Sequence, residues 1–201
     1  MQTAVLERFS YSQYTVRRKV LKVLGGAFHL YGPDGQLVLY SKRKAFKLKE
    51  DFRLYTGEDM QTEVLTIRAR QIIDFSSAYD VVDPVTGQKI GALKRKGLKS
   101  LIRDEWIIMD ETDRQIGLIR EDGAWLAFAR RMVEAFAFFF PQKYHAEIQG
   151  VPVCTFRQRF NPFVFKLDVD FSSDTNGCLD RRLGLAAALL LTAIEGRQQQ
   201  Q

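Results

Sequence analysis

The stretch LGLAAALLLTAI, residues 183–194, decides the fold. It is apolar on every side, and the nearest charged residues are Arg182 before it and Glu195 after it. As a helix it would rise about 18 Å, whereas about 20 residues are needed to cross the hydrocarbon core of a bilayer. A helix without a polar face must be enclosed by protein if lipid does not enclose it. The sequence therefore predicts a helix at the centre of a domain, with a segment that anchors in or on a membrane as the alternative.

A hairpin pattern recurs along the chain before this stretch. In each copy an apolar strand runs into a tight turn, and a second strand leaves the turn carrying basic residues. Pro, Asp and Gly supply the fixed φ, the side-chain caps and the positive φ that tight turns require. The copies are HLYGPDGQLVLYSKRK (29–44), DVVDPVTGQKIGALKRK (80–96), IIMDETDRQIGLIRED (107–122) and AEIQGVPVCTFRQR (146–159), and a fifth pair is predicted within 52–70.

The predicted strands alternate between apolar and polar residues. In VLTIRAR (64–70) Leu65, Ile67 and Ala69 share one face, and FVFKLDVDF (163–171) shows the same pattern. Such alternation indicates one buried and one solvated face. Ten or more strands of this kind, joined by short turns, favour closure because closure removes exposed edges. The predicted fold is mainly β, a closed antiparallel barrel around the central hydrophobic C-terminal α-helix.

A second helix is predicted between residues 122 and 140. Apolar residues there recur at three- and four-residue spacing, charged residues lie opposite, and Pro141 ends the run. The Phe-rich stretch AFAFFF (135–140) is predicted to pack in the core, with insertion into a membrane interface as the alternative. We expect a single domain over residues 1–197 and a disordered Gln tail over 198–201.

The composition narrows the class of partner and the compartment. The formal net charge is +6 with a pI of about 9.4, which favours acidic partners such as a lipid headgroup surface or nucleic acid. Cys154 and Cys178 are too few for a disulfide scaffold, which favours a reducing compartment. Residues 1–19 contain no apolar run typical of a secretory signal. We therefore expect a cytoplasmic protein without a transmembrane span, peripheral at the membrane if it binds lipid.

Three segments carry a resemblance to a known family. They are YTVRRKVLKVLGGAFHLYGPDGQLVLYSKRK (14–44), VVDPVTGQKIGALKRKGLKSLIRDEWIIMDE (81–111), and PQKYHAEIQG (141–150) leading through FVFKLDVDF to the apolar C terminus. In order and spacing they resemble the LURP-one-related branch of the Tubby-like C-terminal superfamily, with the phospholipid scramblases as more distant relatives. The resemblance covers about residues 14–197 and implies a barrel of twelve antiparallel strands around a central C-terminal helix.

The resemblance implies less about function than about fold. LURP-one-related proteins lack an established biochemical activity. Tubby proteins bind phosphoinositides and adapt cargo, and scramblases are associated with calcium-dependent lipid movement. A fold does not by itself determine a function. The candidate site must therefore be identified from the residues of this chain.

Two basic clusters, each directly after a predicted hairpin, are the candidate site. If the hairpins pack side by side, the clusters converge on one outer face and bind clustered phosphates through charge-assisted hydrogen bonds. The alternative is a solvated rim that keeps strand edges from aggregating. The candidate lipid-headgroup-binding residues are Lys42, Arg43, Lys44, Lys94, Arg95, Lys96 and Lys99. The Tubby lipid site is also a cationic patch, which supports this assignment by type and not residue by residue.

Acidic and polar residues before the terminal helix have the spacing of the first half of a calcium loop. They are Asp168, Asp170, Ser172, Asp174 and Asn176. However, Ser173 stands where the sharp bend requires Gly, and Leu179 stands where a bidentate Glu belongs. We therefore predict a strand through 168–170, followed by a turn and the helix N-cap within 174–180, without a metal.

No catalytic or cofactor motif is present. His29 and His145 are interpreted as isolated surface histidines, and neither a GxSxG nor a GxxxxGK[ST] motif occurs. The sequence therefore predicts a non-enzymatic binding or adaptor domain without a cofactor. Its expected partner is an anionic phospholipid or membrane surface, or a protein; no nucleic acid is expected. A structural or protein-interaction domain without a small ligand, and scramblase-like lipid transport, are the alternatives.

Overall fold

The computed structural model describes residues 6–21, 25–43, 51–70, 78–96, 105–122, 142–159 and 164–198. Within them a short 3₁₀ helix (Glu7–Phe9) precedes twelve strands and one α-helix. The strands are β1 (Gln13–Leu21), β2 (Gly25–Tyr31), β3 (Leu37–Arg43), β4 (Phe52–Tyr55), β5 (Glu63–Ala69), β6 (Ala78–Val82), β7 (Lys89–Arg95), β8 (Glu105–Met109), β9 (Gln115–Glu121), β10 (Lys143–Ile148), β11 (Val151–Arg159) and β12 (Phe165–Asp170), followed by α1 (Arg181–Gln198). The second predicted helix, with its Phe-rich stretch, lies outside the described residues apart from Asp122, as do residues 199–201.

The twelve strands form a closed antiparallel barrel. Each strand pairs with its neighbours in sequence, and β1 also pairs with β12, which closes the sheet. At the closure Val16 lies opposite Leu167 on one side and Leu30 on the other, and all three side chains are buried. The alternation seen in the sequence therefore places one apolar face inside the barrel and one polar face outside. The predicted mainly β closed barrel is confirmed.

The barrel has two different ends because consecutive strands run in opposite directions. We use the name turn end for the end where α1 begins, and far end for the end where β1, β3, β5, β7, β9 and β11 finish. Positive φ angles at Gly35 and Gly87 allow two of the tight turns at the turn end. The turns at this end span residues 32–36, 56–62, 83–88, 110–114 and 149–150.

The helix α1 fills the interior of the barrel. Every residue from Leu183 to Ala193 is buried, which confirms the predicted central helix. A run of alanines, 186–188, keeps the helix thin enough to fit inside the strands. Thr192 is the one polar residue between Leu183 and Ala193. Its hydroxyl group donates a hydrogen bond to the Ala188 carbonyl at 2.8 Å, so the buried hydroxyl has a partner. Within the described residues, no helix combines the length and apolarity needed to span a bilayer.

Two aspartates organise the start of α1. The backbone N–H of Arg182 donates to Asp180 Oδ1 at 2.8 Å, which is an N-cap interaction. The buried Asp174 carboxylate accepts the backbone N–H groups of Cys178 and Leu179 and the guanidinium of Arg181. The predicted turn and N-cap within 174–180 are therefore confirmed.

Candidate functional site

The first basic cluster lies at the far end of β3. Lys42 is exposed on the outer face, opposite Ala27 of β2, whereas Leu39 and Ser41 face inward and are fully buried. No carboxylate of the described residues pairs with Lys42. The side chain of Arg43 and the whole of Lys44 lie outside the described residues. Lys42 is thus the member of this cluster that the structure places on the outer surface.

The second basic cluster is divided between the two faces of β7. Lys94 and Lys96 alternate with Leu93, which is fully buried, and therefore point outward. Arg95 shares the inward face with Leu93 and lies opposite the buried Trp106. Three consecutive strand residues cannot all face outward, so Arg95 does not share the outer face with Lys94 and Lys96. Lys99 lies outside the described residues.

Lys96 is already engaged by a neighbouring carboxylate. Its ammonium group donates a hydrogen bond to Glu105 Oε1, and this bond holds the pKa of Glu105 below its usual value. Arg120 also approaches Glu105, with its Nε 3.5 Å from Oε2. Lys96 is therefore less available to an external anion than Lys42 or Lys94.

Lys42 and Lys94, described outward members of the two clusters, are not neighbours in the barrel. The strands β4, β5 and β6 lie between β3 and β7 in the barrel. Lys42 and Lys94 both lie near the far end, but on different parts of the wall. The described members of the two clusters therefore share an end of the barrel but do not converge on one compact face.

Charge is segregated along the barrel axis. The connections at the turn end, including 171–180, carry one basic residue, Arg114, and nine acidic residues: Asp34, Glu58, Asp59, Asp83, Asp110, Glu111, Asp113, Asp174 and Asp180. Outward-facing cations lie in the far half of the wall: Arg17, Lys42, Arg53, Arg68, Lys94, Arg120, Lys143, Arg157, Arg159 and Lys166. Part of this charge is neutralised by ion pairs: Lys89, Arg181 and Arg182 pair with acids of the turn end, and Arg53, Arg120, Lys143 and Arg159 lie near carboxylates of the wall or of its adjoining residues. Among the described residues an excess of acids remains at the turn end and an excess of cations on the far half of the wall. The acidic excess also complements the dipole of α1, whose N terminus lies at the turn end.

A third basic surface, which the sequence did not reveal, lies on four adjacent strands. Across β11, β12 and β1, Arg159 lies opposite Lys166, which lies opposite Arg17. In the next row Lys143 of β10 lies opposite Arg157. We term these five residues the wall cluster. The sequence signal is weak because the five positions are spread over four strands, and their adjacency follows only from the strand register.

Only part of the wall cluster is neutralised. Arg159 Nε donates to Asp168 Oδ2 at 2.5 Å, and Lys143 Nζ lies 4.0 Å from Asp122 Oδ2. Within the described part of the chain, Arg17, Arg157 and Lys166 have no carboxylate partner. The wall cluster therefore presents uncompensated positive charge to the solvent.

A groove of about 490 Å³ crosses the outer face beside the wall cluster. Its walls are polar and include three cations and three hydroxyl side chains. The lining residues are Gln13, Tyr14, Thr15, Gly32, Pro33, Lys143, Thr155, Arg157, Arg159, Asp168, Val169 and Asp170. The groove combines the size of a small-ligand site with an excess of donors.

The proposed half calcium loop adopts the predicted strand and turn. Asp168 accepts hydrogen bonds from Arg159 and from the Thr15 hydroxyl at 3.0 Å. Burial raises the pKa of Asp170, but hydrogen bonds from Ser172 and Gln13 outweigh it, and the pKa lies below its usual value. Among the described residues, no three His, Cys, Asp or Glu side chains are placed to hold a metal ion together.

His29 differs from the expected surface histidine. It is buried between Tyr31 and Tyr40, and its Nε2 lies 2.8 Å from Glu58 Oε1. The 56–62 turn covers the outer face of β2 here, which sequence alternation alone cannot show. His145 is partly exposed as expected, 3.4 Å from Asp122.

The buried Cys154 offers no activated thiolate. Cys154 and Cys178 are both free. Burial raises the pKa of the Cys154 thiol well above its usual value, so this group stays protonated at neutral pH.

These features define a class of protein: a closed twelve-stranded antiparallel barrel that encloses its own C-terminal helix and carries cations on its outer wall. A family model described as LURP-one-related matches residues 37–176, and the chain belongs to the LURP-one-related family. An X-ray structure of an Arabidopsis thaliana protein is similar to it, with 16% sequence identity over 93% of this chain and 92% of that chain and a TM-score of 0.48. No curated protein matches the chain.

Proposed function

We propose that the protein is a non-enzymatic binding domain that docks with its far end on the anionic phospholipid surface of a membrane, from the cytoplasmic side. The observation that carries the proposal is the segregation of charge, with an acidic turn end and a basic far end. An anionic surface attracts the far end and repels the turn end, so the two charge sets favour the same orientation.

The positions of the cations favour end-on contact. Lys42 on β3, Lys94 on β7 and Lys166 on β12 lie on different parts of the barrel wall but near the same end. Each Lys or Arg near an anionic leaflet contributes about 1 kcal/mol, and the contribution falls off within about 10 Å at 0.1 M salt. Several such residues give a weak, reversible and salt-sensitive attachment.

Cosedimentation with vesicles tests the proposal. Binding is expected to vesicles of phosphatidylcholine and phosphatidylserine, to weaken as salt increases, and to be absent with phosphatidylcholine alone. Lys42→Glu removes one attractive charge and adds one repulsive charge at the far end. A change of about 2 kcal/mol, or about 30-fold in affinity, is expected.

Arg114→Glu is the matched control, because it makes the same change in charge on an exposed residue at the turn end. It is expected to leave vesicle binding close to that of the unmodified protein. Equal loss of binding in both variants would show that net charge, and not the far end, governs attachment. Absence of binding to phosphatidylserine vesicles would refute the proposed function.

A further inference from the structure

The wall cluster contains a row of like charges that the fold does not require. Arg159, Lys166 and Arg17 lie directly opposite one another on adjacent strands, and like charges in such positions repel and destabilise a sheet. Asp168 compensates Arg159 alone. The Nε of Arg17 is buried without a hydrogen-bond partner among the described residues. A bound anion would relieve the repulsion in this row.

The adjoining groove provides room for such an anion. Its volume of about 490 Å³ lies in the range of about 300–1,000 Å³ that is usual for small-ligand sites. Arg157, exposed and without a carboxylate partner in the described structure, lies between Lys143 and Asp168 in the strand register. The Thr155 hydroxyl in the same groove adds a neutral donor.

The two carboxylates of the groove are occupied by protein donors. Asp168 accepts from Arg159 and Thr15, and Asp170 accepts from Gln13 at 3.2 Å and from the Ser172 backbone N–H at 2.8 Å. They repel an anion from the part of the groove beside Asp168 and Asp170, so it is expected near Arg157 and Lys143.

We infer that this groove binds a phosphate-bearing ligand, with Arg157 and Lys143 as the principal contacts. A phosphate monoester carries about −1.5 to −2 charges and three acceptor oxygens, so it can engage several cations and a hydroxyl at once. A single carboxylate carries half that charge and fewer acceptors. The guanidinium of Arg157 can donate two parallel hydrogen bonds to one phosphate group. Lys166 and Arg17 flank the groove and add attraction at longer range.

The principal contacts of the groove, Arg157 and Lys143, differ from Lys42 and Lys94 of the membrane-docking proposal, and Lys166 is common to both. A soluble ligand and a phosphorylated lipid headgroup present the same chemistry to the groove. Binding of inorganic pyrophosphate, measured by calorimetry and by the rise in Tm against sodium chloride of equal ionic strength, tests the soluble source. Vesicles containing phosphatidylinositol bisphosphate, compared with phosphatidylserine vesicles of equal surface charge, test the lipid source.

The variant Arg157→Gln is expected to weaken pyrophosphate binding by about tenfold or more, because a charge-assisted hydrogen bond is lost. Its own Tm without ligand should be unchanged. Lys166→Gln should raise the Tm without ligand, because it interrupts the row of like charges, and should lower affinity. Arg114→Gln, a matched exposed arginine at the turn end, should bind as the unmodified protein does.

The outcomes separate the two proposals. Pyrophosphate binding that Arg157→Gln abolishes supports the groove, and a preference for bisphosphate vesicles that the same variant removes identifies a lipid source. Pyrophosphate binding without that preference identifies a soluble source. No binding of either probe, or equal loss in Arg114→Gln, overturns the inference. Retained binding to phosphatidylserine in Arg157→Gln would leave membrane docking intact.

Discussion

Replacing Gly184 with alanine should destabilise the protein, although alanine is normally the better residue in a helix. Gly184 lies in the first turns of α1, where alanine is favoured over glycine by about 1 kcal/mol. A Cβ atom at this position would lie 2.4 Å from Cε1 and 2.6 Å from Cζ of Phe171. Normal carbon contacts begin near 3.5 Å, so the ring or the helix must shift by about 1 Å.

The Phe171 ring has little freedom to make this shift. It is 1% exposed, it packs against the edge of Tyr14 at a centroid distance of 6.1 Å, and the Arg181 guanidinium lies 4.5 Å from its centroid. Overpacking of a filled core costs about 1–3 kcal/mol. With the ring held on both sides we expect the upper part of this range. After the gain in helix propensity, the net loss is about 2 kcal/mol.

Urea denaturation of a double-mutant cycle measures this effect. Phe171→Leu removes the two ring atoms, and in that background Gly184→Ala should become neutral or stabilising by up to about 1 kcal/mol. The sign of the substitution should thus reverse with the identity of residue 171. An increase in the stability of the unmodified protein on Gly184→Ala would refute the packing of α1 against Phe171.

Three further changes test the turn end and the start of β1. Asp174→Ala should lower the free energy of unfolding by about 3 kcal/mol in urea denaturation, since it leaves Arg181 and two backbone N–H groups without their buried acceptor. A decrease of less than about 1 kcal/mol would contradict this role of Asp174. Burial raises the pKa of Tyr14 from 10.0 to about 12. The stability that the protonated Tyr14 provides is therefore complete below pH 10 and is lost as the pH rises through 12. Tyr14→Phe should abolish this alkaline loss of stability, measured by unfolding at different pH values. Hydrogen bonds led by that from Thr112 lower the pKa of Asp110 from 3.8 to about 2, so Asp110→Asn should be less stable than the unmodified protein above pH 4 and equally stable below pH 2.

The features that the sequence predicts well are those encoded locally. The apolar run at residues 183–194 predicts a helix enclosed by protein, with a membrane anchor as the alternative, and most of the run is buried inside the barrel. The turn at 83–88 contains Asp, Pro and Gly in positions that a tight connection needs, and Gly87 has the expected positive φ. Alternation in β5 and β12 likewise identifies an inner and an outer face. Closure into a barrel then follows from the number of such strands.

The candidate site was harder to predict because binding surfaces on a barrel are assembled across strands. Basic residues that are adjacent in sequence, such as Lys94 and Arg95, form one cluster in the sequence but alternate between the outer and inner faces of the strand. Conversely, Arg17 and Lys166 are neighbours although about 150 residues separate them in sequence. Only the register of β1 against β12 brings them together. The burial of His29 depends in the same way on a turn that is distant in sequence.

The acidic residues at the turn end and the cations on the outer wall are present for different physical reasons, and this difference indicates which of them bind a ligand. The acidic residues at the turn end serve the turns themselves; Asp83, for example, accepts the backbone N–H groups of Val85 and Thr86. Such acids would be needed in any barrel with these hairpins. Lys166 and Arg17 lie opposite each other and form no ion pair with a carboxylate of the described structure. Their mutual repulsion weakens the sheet. A feature that lowers stability without serving the fold points to a ligand, so the outward cations, and not the acids, are where binding should be sought.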